Sequence, residues 1–180
     1  MFTCKPLLAF TLLGIASMSL AEKGPDLGIE ATPAQVAAWD ISIAPDGDGL
    51  PAGSGTTTQG AAIYAIQCIA CHGRAGAGNP NDRLVGGHGT LGSSSPVKTI
   101  GSFWPYATTV FDYIRRAMPY TYSGTLTDDQ VYALTAYLLF LNDIIDENDV
   151  MDAESLAKVQ MPNRNNFVLA YPTNSDSGAR

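Results

Sequence analysis

Three stretches of the chain carry apolar residues at helical spacing, and glycine- and proline-rich segments separate them. In the first, running from an N-cap at Thr57 or Thr58 through Cys71, the residues Ile63, Tyr64, Ile66 and Cys68 turn one apolar face to the same side, with Cys71 beyond. Gly60, four residues before Tyr64, leaves a bare patch where another helix can approach. The second is expected over about Ala107–Ala117, where Val110, Phe111, Ile114 and Ala117 or Met118 repeat at helical intervals. The apolar, aromatic run Ile100–Trp104 and Pro105 lead into it, and Arg115 and Arg116 close it, where cations favour the helix dipole. The third opens on Thr127-Asp128-Asp129-Gln130, a capping box with Thr at the N-cap and Gln at N3, and is expected to end near Asn142. Val131, Leu134, Leu138 and Leu141 form its stripe, which Tyr137 and Phe140 broaden.

The flanks follow different patterns. Residues 1–21 read as a secretory signal: Lys5, an apolar run from Leu7 to Ile15 that is too short for a membrane span, and Ser19-Leu20-Ala21 as a small-x-small cleavage site. Periplasmic export is therefore expected, with Cys4 removed and no Cys after the cut to carry a lipid. Residues 22–55 should form an extended N-terminal arm, because nine glycines and prolines from Pro25 to Gly55 break regular structure. One short helix is expected inside it, with Thr32 as N-cap and Pro33 at N1, through Ala38. Trp39, Ile41, Ile43 and Leu50 are too apolar for a free tail, so the arm is expected to lie against the domain. Asp46-Gly47-Asp48-Gly49 reads as a turn, since it lacks the glycine and terminal glutamate positions of an EF-hand loop. Residues 143–180 form an acidic C-terminal tail, with a short helix around Ala153–Leu156, partial docking through Phe167, Leu169 and Tyr171, and disorder over 173–180. One domain, 56–142, lies between arm and tail.

Charge narrows the partners. The chain has 10 basic and 17 acidic side chains, and without Lys5 nine basic ones remain, a net charge of −8. Such a surface repels nucleic acid and anionic membrane and suits a partner presenting basic groups.

The candidate chemistry sits at the end of the first helix, in Cys68-Ile69-Ala70-Cys71-His72. Two thiols three positions apart can each add to one vinyl group of a haem, and the adjacent histidine then lies beneath the iron. The motif reads as the attachment site of one covalent haem c. A thioredoxin-like pair needs a βαβ setting, and a zinc site needs two further Cys or His at short spacing; neither is supported here. Met118-Pro119 presents a thioether just after a helix and between two helices, where a sixth ligand is wanted; Met161-Pro162 offers the same dipeptide in the tail, and core filler is the plain alternative for either. His88, in a Gly-Gly-His-Gly loop, is a further candidate ligand or a solvated side chain. Asn79-Pro80-Asn81 is either an ordinary turn or a stiff one that holds a backbone carbonyl on the imidazole proton. Trp104 is expected against the cofactor. Arg115 and Arg116 are either a solvated helix end or partners for a haem propionate, with Arg83 as another candidate.

Helices in this order, with C-x-x-C-H closing the first and a methionine between the second and third, resemble the all-α class I cytochrome c fold over about Thr56–Asn142. The ordered set Gly60, Tyr64, Cys68, Cys71, His72, Pro80, Met118 and Tyr137 carries the resemblance. It implies that the first and last helices cross at Gly60 and Tyr137, and that the carbonyl of Pro80 receives the proton of His72. Longer strings, among them Asp82-Arg83-Leu84-Val85-Gly86-Gly87, Lys98-Thr99-Ile100-Gly101-Ser102-Phe103-Trp104-Pro105 and Asp112-Tyr113-Ile114-Arg115-Arg116-Ala117-Met118-Pro119, resemble the haem subunit of periplasmic sulfur (sulfane) dehydrogenases and cytochromes paired with sulfite dehydrogenases. Some members of that group carry two haem domains, whereas this chain has one C-x-x-C-H.

The resemblance implies an electron-transfer subunit that receives electrons from a molybdenum-cofactor subunit and passes them to a downstream cytochrome or oxidase. Filling both axial positions with His72 and Met118 would leave no open site for substrate, so valence change rather than bond chemistry is expected. Two other readings stand beside it: a freely diffusing carrier that serves a terminal oxidase, and a haem enzyme whose methionine dissociates.

Overall fold

The computed structural model describes residues 28–168 and residue 170. The signal reading of residues 1–21, the first part of the arm, and Leu169, Tyr171 and most of the end of the tail fall outside them.

Two units are distinguished, one ending at Trp39 and the other starting at Asp40. In the first, Pro33–Trp39 form helix α1, with the Thr32 hydroxyl accepting the Gln35 N–H at 3.3 Å. Its Trp39 is exposed; in the second unit, Ile43 and Leu50 of the expected arm pack against the core.

The second unit contains β1 (Ser54–Thr56), α2 (Thr57–Gln67), α3 (Ile69–His72), α4 (Ala107–Ala117), α5 (Asp128–Leu141), β2 (Val150–Asp152) and α6 (Ala153–Lys158). α2 starts one residue earlier than its pattern suggested, because Thr56 and Gln59 form a capping box: Thr56 N–H donates to Gln59 Oε1 at 2.9 Å and Gln59 N–H to Thr56 Oγ1 at 3.2 Å. Thr127 and Gln130 repeat the device at α5. α4 occupies the expected span, with Arg115 and Arg116 in its last turn.

α5 is the central helix of the second unit. Val131, Tyr132, Leu134, Ala136 and Leu139 are all buried, so it is covered on more than one side. α2 crosses it at Gly60, where an added Cβ would lie 2.6 Å from the carbonyl carbon of Ala133 and 2.7 Å from Cβ of Tyr137 and would overlap the Ala133 oxygen. Only a residue without a side chain allows that approach. Tyr64 and Tyr137 then meet with ring centroids 5.4 Å apart. The crossing at Gly60 and Tyr137 implied by the resemblance is thus present. Ile66 is exposed rather than turned to the core.

The segment after Asn142 is more than a partly docked tail. β2 pairs antiparallel with β1, Gly55 opposite Met151, and Met151, Leu156 and Met161 are buried in the common core. Asn163 Nδ2 donates to the Phe103 carbonyl at 2.8 Å. From the arm side, the Tyr132 hydroxyl donates to the Pro51 carbonyl at 2.8 Å and the Thr108 hydroxyl to that of Pro45 at 3.2 Å.

Candidate cofactor site

α2 stops at Cys68, which serves as its C-cap, and the chain makes one further helical turn, α3, ending on His72. That break sets Cys68 half-buried and Cys71 at the surface, both as free thiols. Burial, with Cys71 adding to it, pushes the Cys68 thiol up to about 11 and keeps it protonated. His72 Nδ1 lies 3.0 Å from the backbone carbonyl of Asp82. A carbonyl only accepts, so Nδ1 carries the proton and the lone pair is left on Nε2, the tautomer that can bind a metal.

Backbone bonds hold the loop that supplies this carbonyl. Asn81 N–H donates to the Cys71 carbonyl at 2.9 Å, Gly78 N–H to that of His72 at 2.8 Å, and Leu84 N–H to that of Gly76 at 2.8 Å. Here the expectation for Pro80 is corrected. Asp82, two residues on, presents the carbonyl, and Pro80 lies outside the cavity lining. The loop folds back onto the α3 turn through Asn81 and so delivers the next carbonyl, whatever side chain that residue carries.

With α3, the end of α4 and the face of α5 complete a cavity of about 450 Å³. Cys68, Cys71 and His72 line it together with Met118, the C-cap of α4, and with Leu134 and Leu138 from α5 as apolar lining. Trp104 lines it too, its ring edge-on to Tyr113 at 5.7 Å between centroids. The volume is within the range of cofactor pockets, and the donor set, two free thiols, an imidazole with Nε2 available and a thioether, suits a covalently attached haem.

Other expected groups are elsewhere. Arg115 Nε binds Asp128 Oδ1 at 3.0 Å and Arg116 Nε binds Asp112 Oδ1 at 2.8 Å, so these cations lock α4 to α5 and to itself. Arg115 does not line the cavity and its place at the cofactor is withdrawn. Arg83 lines the cavity, as does Lys98, which no pattern singled out. His88 is exposed, and Met161 is buried in the core without lining the cavity. Asp82 was missed because a backbone carbonyl leaves no mark in the sequence.

Fold and cavity together define a helical domain built to hold a covalent haem. A family model described as "Cytochrome C oxidase, cbb3-type, subunit III" matches residues 55–138. Among solved structures, the sulfane dehydrogenase SoxCD from Paracoccus pantotrophus is similar at 42% identity and a TM-score of 0.75, over 84% of this chain and 74% of that chain. The thiosulfate dehydrogenase TsdBA from Marichromatium purpuratum shows a partial likeness at 26% identity and a TM-score of 0.35, over 47% of this chain and 17% of that chain. No curated protein sequence matches. The chain belongs to the cytochrome c family. It is an electron carrier of that type, implying covalent haem c, and it is similar to a chain of the SoxCD enzyme. Among the described residues, no helix is long and apolar enough to cross a membrane.

Proposed function

We propose that this chain is the periplasmic electron-transfer subunit of a molybdenum-dependent sulfur-compound dehydrogenase acting on sulfane or sulfite sulfur. Cys68, Cys71, His72 and Met118 would hold one haem, the two thiols by covalent attachment. The observation that carries the partnership is the 42% identity to sulfane dehydrogenase across 84% of the chain, far beyond the motif itself.

When bound, the haem supplies reversible one-electron chemistry. The residues do the rest. Cys68 and Cys71 tether the group at two points, and the Asp82 carbonyl at 3.0 Å fixes the ring of His72 and raises its basicity. Met118 offers a soft thioether that favours the ferrous state. Leu134 and Leu138 keep water from the cavity. His72 and Met118 would both be engaged in holding the group, which favours electron transfer over catalysis on this chain.

The exposed apolar groups nearest the cavity suit docking. Tyr120 lines the cavity yet is 83% exposed, Tyr122 is 71% exposed, and Ile69 and Ala70 lie on the α3 turn between the two thiols. A partner's cofactor would approach there, with the acidic surface acting from the rim. Stopped-flow mixing with the molybdenum subunit tests this. Reduction of the wild type within enzyme turnover, slowed in Ala70→Lys with an unchanged potential, is expected. Equal rates for both proteins would exclude this face, and no reduction by the molybdenum subunit, with ready oxidation by a terminal oxidase, would make the chain a free carrier instead.

A further inference from the structure

Asn142 is 1% exposed, yet its side chain makes three hydrogen bonds. Its Nδ2 donates to the carbonyl of Leu138 at 2.9 Å, within the end of α5, and to that of Leu84 at 3.2 Å, 58 residues away in sequence. Its Oδ1 accepts the N–H of Gly86 at 3.1 Å. Only one orientation of the amide satisfies this set, because two partners accept and one donates. The group therefore clips both sides of Leu84–Gly86 to the best-buried helix. Gly101 makes room for it. A Cβ there would lie 2.6 Å from Cγ of Asn142 and would overlap Oδ1.

The clipped segment begins two residues after Asp82, whose carbonyl holds His72 Nδ1 at 3.0 Å, and Leu84 itself lines the cavity. The loop from Asn79 to Gly86 contains no helix or strand, so its fixed points are the Asn81 N–H bond to Cys71, the Leu84 and Val85 N–H bonds to Gly76, the Thr99 hydroxyl and Ile100 N–H, and Asn142 on the α5 side. Of these, Asn142 is the side chain that grips the loop at two residues.

We infer that Asn142 is a positioning residue for His72: it ties the loop bearing the Asp82 carbonyl to α5 and so sets the hydrogen bond that orients the imidazole and strengthens it as a donor. This rests on the proposed ligation by His72. Loosening the clip lengthens the Nδ1 bond, makes the imidazole less basic and destabilises the ferric state, so the potential moves in the positive direction.

The test uses holoprotein matured with haem. Asn142→Asp keeps the acceptor for Gly86 and loses both donors, and Asn142→Leu loses all three bonds. In both, proton NMR of the reduced protein is expected to show at least tenfold faster solvent exchange of the His72 Nδ1 proton, together with a positive shift of the midpoint potential. Leu156→Ala, which removes buried volume on α6 away from the cavity, is expected to lower stability and change neither. In the wild type, the Gly86 amide and the His72 Nδ1 proton should be protected to the same degree, a measurement that needs no variant. A Gly86 amide exchanging at loop rates beside a protected His72, or Asn142 variants with unchanged exchange and potential, overturns the inference. If His72 is shown not to bind iron in the wild type, the ligand assignment fails instead, and the two failures are distinct.

Discussion

Gly60 shows how much a single position can decide. The overlap of any Cβ with the Ala133 carbonyl means that Gly60→Ala must push α2 off α5, and overpacking of that kind costs about 1–3 kcal/mol. Urea unfolding of the holoprotein should show that loss, and an unchanged midpoint would mean that the crossing is looser than described. Cys68 makes a second test possible. With its thiol pushed up to about 11, its thiolate is scarce at neutral pH, so alkylation of the haem-free protein should proceed at exposed Cys71 first. The Cys68 rate should still climb about tenfold per pH unit between pH 9 and 10. Mass spectrometry of partially alkylated peptides reads both. At this scale the C-x-x-C-H motif and Met118, which the structure brings to one cavity, stood out as candidates because side-chain type itself marks them. Asp82 and Asn142 were not, since each acts through geometry that only the folded loop creates, and Arg115 was misread because its partner Asp128 comes from the next helix.

Helices α4 and α5 were readable nearly to the residue, because their apolar period is long and their ends carry capping boxes or cations. The β1–β2 pair was not, since three-residue strands have no period to detect and their partners are nearly a hundred residues apart. For the same reason the segment after Asn142 seemed peripheral. Met161 belongs to the core, so Met161→Ala should cost about 2–5 kcal/mol in denaturation. Removing residues 150–163 would strip β2, Leu156 and Met161 from that core, and loss of cooperative thermal unfolding is the expected result. A truncated chain that melts like the intact one would show the segment to be dispensable.

The whole molecule joins an acidic surface to a buried set of weak acids. Burial pushes Tyr64 and Tyr132 up to about 12, as it pushes Cys68 up to about 11, so the folded chain binds these protons more tightly than the unfolded chain does. Stability must then fall as pH rises: the contribution is complete below the unfolded values near 9 and 10 and is lost progressively up to about pH 12. Thermal unfolding of the haem-free chain from pH 8 to 11 should show a falling midpoint, and a flat profile would contradict the burial of these groups. Haem attachment would consume Cys68 and leave the tyrosine part.

The proposal on which most of this depends is that His72 and Met118 would both bind the iron of one haem tethered to Cys68 and Cys71. Visible spectroscopy of the ferric holoprotein tests it directly, through the weak far-red band that a methionine sulfur bound to iron produces. The band is expected in the wild type and in Met161→Ala, and it should vanish in Met118→Ala, with a fall in potential as the thioether is lost. A band that survives in Met118→Ala and disappears in Met161→Ala would contradict the assignment and the fold position of both methionines.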